Sequence, residues 1–194
     1  MAQLADVLEP VRDIYVSALL EAMARELGRG ADIDAEPVDR DADGHIRRRP
    51  PLNLPSRYDL RVTRGGRALM VRVPVETILR FSPVSAPISD VAAVRIAPFC
   101  WGATVIHAGS AVGRPNWTPV RRWFLEWFQA RFGEESPDLL GVAHGVEGPV
   151  ASGSGWRFTV DLGSTSVSGF IAMLEAFGQT GCARIAVGET EDAL

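Results

Sequence analysis

Lysine is missing from this chain. All 20 basic residues are arginine, and asparagine occurs only at Asn53 and Asn116. That bias points to a GC-rich genome, hence a bacterium, and carries no functional signal. Cysteine is scarce: Cys100 and Cys182 cannot supply the dense, even framework of a stapled secreted domain. No apolar run approaches about 20 residues, so no span of a membrane is expected. The opening residues include Gln3, Asp6 and Glu9 rather than a basic stretch before an apolar one, so no leader is expected and the cytoplasm is the expected location. Neither charge sign dominates. A net charge of −4 gives no electrostatic case for nucleic acid or for an anionic membrane. The chain also has no His-Glu-x-x-His, no paired Cys-x-x-Cys, no Gly-x-Ser-x-Gly and no Walker loop.

What is present begins with bulk. With 46% hydrophobic residues in 194, the chain can bury a sizeable core in one unit. Its 13 prolines and 19 glycines favour many turns and a mixed or β-rich fold. The densest apolar stretch runs from Trp117 to Phe132 and holds three of the five tryptophans. Thr118 and Pro119 read as N-cap and first helical residue, and Gly133 as the stop. Val120, Trp123, Phe124, Leu125, Trp127, Phe128 and Phe132 sweep an apolar arc of roughly 200°, which predicts a helix covered on most sides. Arg121 and Arg131 fall inside that arc. Arg121, at the cation-averse N-terminal end, is expected to meet an acceptor or to face a cavity that takes an anionic group.

Residues 4–27 predict an amphipathic helix. Its stripe serves as a core face, and Leu4, Leu8, Val11, Tyr15, Ala18 and Ala22 approximate the 3–4 spacing of a homodimer seam. Residues 29–57 break the periodicity, with acids first and then Arg47, Arg48 and Arg49 among prolines. They read as an irregular arm. The domain division is therefore 1–57, helix and arm, and 58–194, core. From Tyr58 the period becomes two. Gly65-Gly66 between two alternating runs signals a tight hairpin. Val91–Ala97 with Ala103–Ala108 predicts a second hairpin, and Leu139–Val146 with Trp156–Leu162 a third strand pair across a flexible Glu147–Gly155 linker. Ser164–Ser166 cap a helix reaching Gly178, and Ala183–Val187 closes the chain as a strand. The fold class is α+β: a mostly antiparallel sheet of β-hairpins, with a possible ββα pseudo-repeat, packed by two helices plus the N-terminal one.

Three constellations suggest chemistry. Asp39-Arg-Asp-Ala-Asp-Gly44-His-Ile46 fits the first half of a calcium loop, but Pro50 stands where the bidentate glutamate belongs. An Asp-Gly turn explains the same residues, so no metal is assigned. Asp161-Leu-Gly-Ser-Thr165 looks like the phosphate-binding turn of the actin-like ATPases, which suggests an anion held by Ser164 and Thr165 at a helix N-terminus. That family carries the turn near its N-terminus, and capping alone also accounts for it. Cys100 and His107 are too far apart along strand or hairpin for a nucleophile pair. His45, His107 and His144 give no converging metal set.

The resulting expectation is a non-catalytic binding, regulatory or adaptor protein with a protein partner. Enzyme activity is left open and leans to no, with no catalytic residue and no cofactor. The alternative is a small-molecule domain, or an enzyme, whose pocket opens beside helix 118–132 and takes an anionic ligand at Trp101, His107, Trp117, Arg121, Ser164 and Thr165. No nucleic acid and no membrane are expected as partners, and a homodimer through residues 4–27 is possible.

Overall fold

The computed structural model describes residues 2–75, 77–89, 92–110, 114–129 and 139–188. The first helix, α1 (Ala2–Gly28), runs straight through Pro10. Of the stripe expected for a seam, Leu4, Leu8, Val11, Tyr15 and Ala22 are buried in the chain's own core and Ala18 is half-buried. Residues 29–57 are not a free arm. They form β1 (Asp32–Ala35), a tight turn, and the short strands β2 (Arg48–Arg49) and β3 (Leu54–Pro55). The turn is the Asp-Gly one: Asp41 Oδ1 accepts from the N–H groups of Asp43 and His45, and Arg40 bridges to Ile46. Within the arginine run Arg49 lies 3.4 Å from Asp39 and 3.7 Å from Glu147, while Arg47 and Arg48 are exposed.

The glycine-pair hairpin forms as expected. β4 (Leu60–Arg64) and β5 (Arg67–Val71) pair antiparallel with Arg64 opposite Arg67. Gly65 and Gly66 take φ of +53° and +78°, the double left-handed geometry that only glycine adopts freely. β1 joins the other side of β4, giving a three-stranded sheet in the order β1-β4-β5.

The larger sheet has six strands: β6 (Val84–Pro87), β7 (Ala93–Ile96), β8 (Thr104–Ser110), β9 (Gly145–Ser152), β10 (Gly155–Asp161) and β11 (Cys182–Val187). Their order is β6-β7-β11-β8-β10-β9. The expected second hairpin is therefore two correct strands with the wrong partnership. β11 inserts between β7 and β8, parallel to the first and antiparallel to the second. Its burial explains the insertion, because Ile185, Ala186 and Val187 are each at most 2% exposed and need strands on both sides. The expected flexible linker is strand β9. Val146 is buried and Glu147 exposed in alternation, and the turn at Gly153 is the real connection. The ββα echo fails with the hairpin, since only its second copy pairs strand to strand.

The aromatic helix is α2 (Thr118–Trp127), and α3 (Val167–Gly178) packs on it. Asn116 Oδ1, not Thr118, accepts the first free N–H of α2, from Thr118. The expected C-terminal features at Arg131, Phe132 and Gly133, and the tail 189–194, lie outside the described residues. Val120, Trp123, Phe124 and Trp127 are buried, while Arg121, Arg122 and Glu126 form an exposed face. α3 begins as the sequence implies, with Ser166 Oγ accepting from Gly169 N–H. The core is aromatic at its centre: Phe99, Trp101 and Phe170 stack, and Phe158 meets Phe177 edge-on. No described helix is long and apolar enough to cross a membrane.

Candidate functional site

Where the small sheet docks on the large one, four ionisable side chains converge in the interior. Glu36 follows β1, Asp59 precedes β4, His144 precedes β9 and Asp161 ends β10. His144 is fully buried. Its Nε2–H donates to Glu36 Oε1 at 2.8 Å, and its Nδ1–H to Asp59 Oδ1 at 3.0 Å. Asp161 Oδ1 stands 3.7 Å from the same Nδ1. Tyr15 of α1 donates its hydroxyl to Asp59 Oδ1 at 2.5 Å. Arg72 closes the outer side, 2.9 Å from Asp161 Oδ2 and over the ring of Tyr58.

Local backbone explains how each group is held. Glu36 has φ of +53°, unusual for a residue with a Cβ, and this turns its carboxylate into the protein. There the carboxylate accepts from Leu140 N–H at 2.6 Å and Ser164 N–H at 3.1 Å. The anion held by the Asp161–Thr165 turn is thus one of the chain's own carboxylates. Within that turn Asp161 Oδ1 accepts from Gly163 N–H, and Arg12 of α1 donates to the carbonyls of Ser164 and Thr165. Gly163 is obligatory. It sits at φ +52°, and a Cβ there would lie 2.3 Å from His144 Cδ2 and 2.5 Å from the Val142 carbonyl oxygen.

The electrostatics follow from burial opposed by pairing. Burial pushes the His144 imidazolium toward losing its proton, but Asp161 and the bonds to Asp59 and Glu36 outweigh it and raise its pKa to about 10. Burial would raise Glu36 and Asp59; the bond to His144 and its charge hold both below the usual carboxylate range. Asp161 goes the other way: burial raises it, and Asp59 adds to that against His144 and Arg72. The Tyr15 hydroxyl is pushed well up by burial first, then by Asp161 and Asp59.

Two cavities reach this cluster at Asp161. One of about 160 Å³ is lined by Tyr15, Asp59, Arg72, Val73, Cys100 and Asp161 among others. The other, about 280 Å³, shares Arg72, Gly102 and Asp161 and adds Arg49, Ser56 and Gly145. A third feature lies on the opposite side of β4. An apolar groove of about 480 Å³ runs between α1 and the β4–β5 hairpin, lined by Ala22, Leu60, Val62, Leu69, Val71 and Val73, with Arg25, Glu26, Arg64 and Arg67 also in its lining.

The six residues singled out from the sequence fall in different places. Trp101 is buried and donates its indole N–H to Gly163 O at 3.0 Å. His107 is buried on β8. Trp117 packs on Trp156 and Phe158. Arg121 is exposed, and its guanidinium meets no acceptor among the described residues, so the expected pairing is not made. The apolar arc of α2 is narrower than its composition suggests, which leaves Arg121 in water. Ser164 touches the buried cluster through Glu36, and Thr165 Oγ1 is buried with no hydrogen-bond partner among the described residues. None of the six lines the two cavities or the groove.

Glu36, Asp59 and His144 are the residues that sequence reasoning missed. A signal did exist. His144 sits in Val142-Ala-His-Gly-Val146 and Asp161 in Thr159-Val-Asp-Leu162, ionisable groups inside apolar runs where a soluble loop would not place them. Comparison with known protein families, with curated proteins and with solved structures finds no match.

Proposed function

We propose that the protein works by binding, and that it captures an extended, apolar, acid-flanked segment of a protein partner along β5. The observation that carries this reading is the groove. Leu69 is 67% exposed and Met70 41%, on a strand paired only with β4 among the described strands. A free strand edge offers unsatisfied N–H and C=O groups to an incoming strand, and an apolar furrow beside it receives alternate side chains. Arg64 is paired with Glu26, but Arg25 and Arg67 have no partner among the described residues. Two uncompensated cations in an apolar groove favour a segment with acidic flanks.

The test uses a synthetic heptapeptide, Glu-Leu-Ser-Val-Ser-Leu-Glu, blocked at both ends and titrated into the labelled full chain. Amide shifts confined to residues 67–71 and 22–27, with slowed exchange on β5, are the expected result. Leu69→Glu abolishes them and Arg67→Glu weakens them. The absence of any shift on β5 at millimolar peptide overturns the reading. One observation favours a second reading: a volume of about 480 Å³ also suits a small amphiphile with a carboxylate head. Decanoate is the probe for it. Shifts at Ala22 and Leu60 without protection of β5 transfer the groove to a small ligand.

A further inference from the structure

The buried cluster is separate from the groove, and its geometry carries an inference that does not depend on the groove's occupant. We propose that Asp59, His144 and Asp161 bind one divalent first-row metal ion, with Glu36 orienting the imidazole.

Spacing is the first argument. One ligand atom each of Asp59, His144 and Asp161 lies within 4.8 Å of the other two. Nδ1 stands 3.0 Å from Asp59 and 3.7 Å from Asp161. Ligands at about 2.1 Å from a common ion are separated by roughly 3.0–3.5 Å, so these three atoms need little movement to close on one. The second argument concerns the proton now at this place. A single proton on Nδ1 serves only Asp59, because 3.7 Å is beyond hydrogen-bond reach of Asp161. An ion would serve both carboxylates and the nitrogen at once.

The third argument is the other side of the ring. Metal-bound histidines hold their second nitrogen against a carboxylate or carbonyl, which fixes the tautomer and leaves the first lone pair for the ion. Glu36 Oε1, 2.8 Å from Nε2 and itself pinned by the N–H groups of Leu140 and Ser164, stands in that position. The fourth argument is room. The cavity of about 160 Å³ touching Asp59 and Asp161 has room for water ligands and gives the ion a way in. Three protein ligands and a solvent-filled position make a familiar coordination number. One imidazole with two carboxylates and no thiolate suits zinc or manganese. Binding exchanges the Nδ1 proton for the ion, and the proton leaves to solvent.

The ligands come from two sheets. Asp59 immediately precedes β4 of the small sheet, while His144 precedes β9 and Asp161 ends β10 of the large one. The ion therefore clips the sheets together.

The experiment titrates Zn2+, and separately Mn2+, into the full chain after dialysis against EDTA, followed by calorimetry and thermal unfolding. One equivalent bound with a rise in Tm is expected. Glu36→Gln weakens binding about 10- to 100-fold, as removal of an orienting carboxylate does. Asp161→Asn weakens it more. Asp41→Ala, in the exposed Asp41, Asp43 and His45 group, leaves the tight equivalent unchanged. If the cluster variants fail to fold, nitrogen-15 NMR of the wild-type chain decides: Zn2+ must shift His144 Nδ1 far more than Nε2. Zinc that binds without moving Nδ1, binding lost in Asp41→Ala but kept in Asp161→Asn, or no binding at millimolar metal each overturns the proposal.

Discussion

The two sides of β4 are opposites. Leu60 and Val62 form the buried floor of the groove under α1, while Leu69 of the neighbouring strand is exposed at its rim and Val71 is half-buried. Asp59, one residue earlier, points the other way into the charged interior. Val73 lines both the groove and the smaller cavity. The one-residue step into the strand, from Asp59 to Leu60, exchanges a buried ionic setting for an apolar one. The rim of the groove at Leu69 costs the fold little if altered, since that side chain is 67% exposed. The cluster side is tightly coupled, since Glu36, Asp59 and Asp161 all pair with the one buried imidazole of His144.

The sharpest break in that contrast is Glu36→Ala. It leaves a buried imidazolium with half its compensation and should cost roughly 3–5 kcal/mol, read as a drop in denaturant midpoint. Gly163→Ala comes next, about 2–4 kcal/mol, because its Cβ would press into His144 and the Val142 carbonyl at a left-handed φ. It should also move the His144 ring signals in NMR. On the groove side Leu69→Ser should change stability by no more than about 0.5 kcal/mol while removing binding of the acid-flanked peptide. A large loss of stability there would show that the groove is part of the core and not a surface.

A gentler probe is pH, applied to metal-free protein. The folded pKa of His144, about 10, is above its ordinary value of 6.5, so its stabilisation is complete below about 6.5 and is lost as pH rises toward 10. Glu36 and Asp59 are held below their ordinary values, so their contribution is present above about 4.5 and is lost as the solution is acidified. Asp161, held above its ordinary value, opposes folding once the solution passes that value and so trims the gain from its neighbours. Tm should peak near pH 5 to 6.5 and fall steadily up to about pH 9. The missing lysines help here, because no lysine side chain titrates on that alkaline limb. Glu36→Gln should flatten it, and a limb of unchanged slope in that variant would remove His144 as its source.

What was legible in the sequence was local. The Gly65-Gly66 turn needs a backbone that only glycine adopts freely, so two residues suffice to place a hairpin. The stripe of α1 and the cap of α3 are likewise written within a few residues. What failed depended on partners far along the chain. β7 and β8 read as a pair until β11, more than seventy residues later, takes the place between them. The candidate site was hidden for the same reason. Each of its four ionisable members is solitary in sequence, and no spacing rule joins Glu36 to His144. Ser164 was legible as an anion-holding residue, but the anion is internal.

That separation also orders events in time. Glu36 and His144 are 108 positions apart, and Glu36 and Ser164 are 128 apart. Loops of that length must close before the first charge is compensated, which favours slow, millisecond-scale assembly over the microsecond folding of locally wired bundles. On the ribosome the imbalance lasts longer still. α1, the hairpin and the Glu36 carboxylate emerge well before His144 does, so the nascent half keeps its acids hydrated and its two sheets apart until that single imidazole arrives.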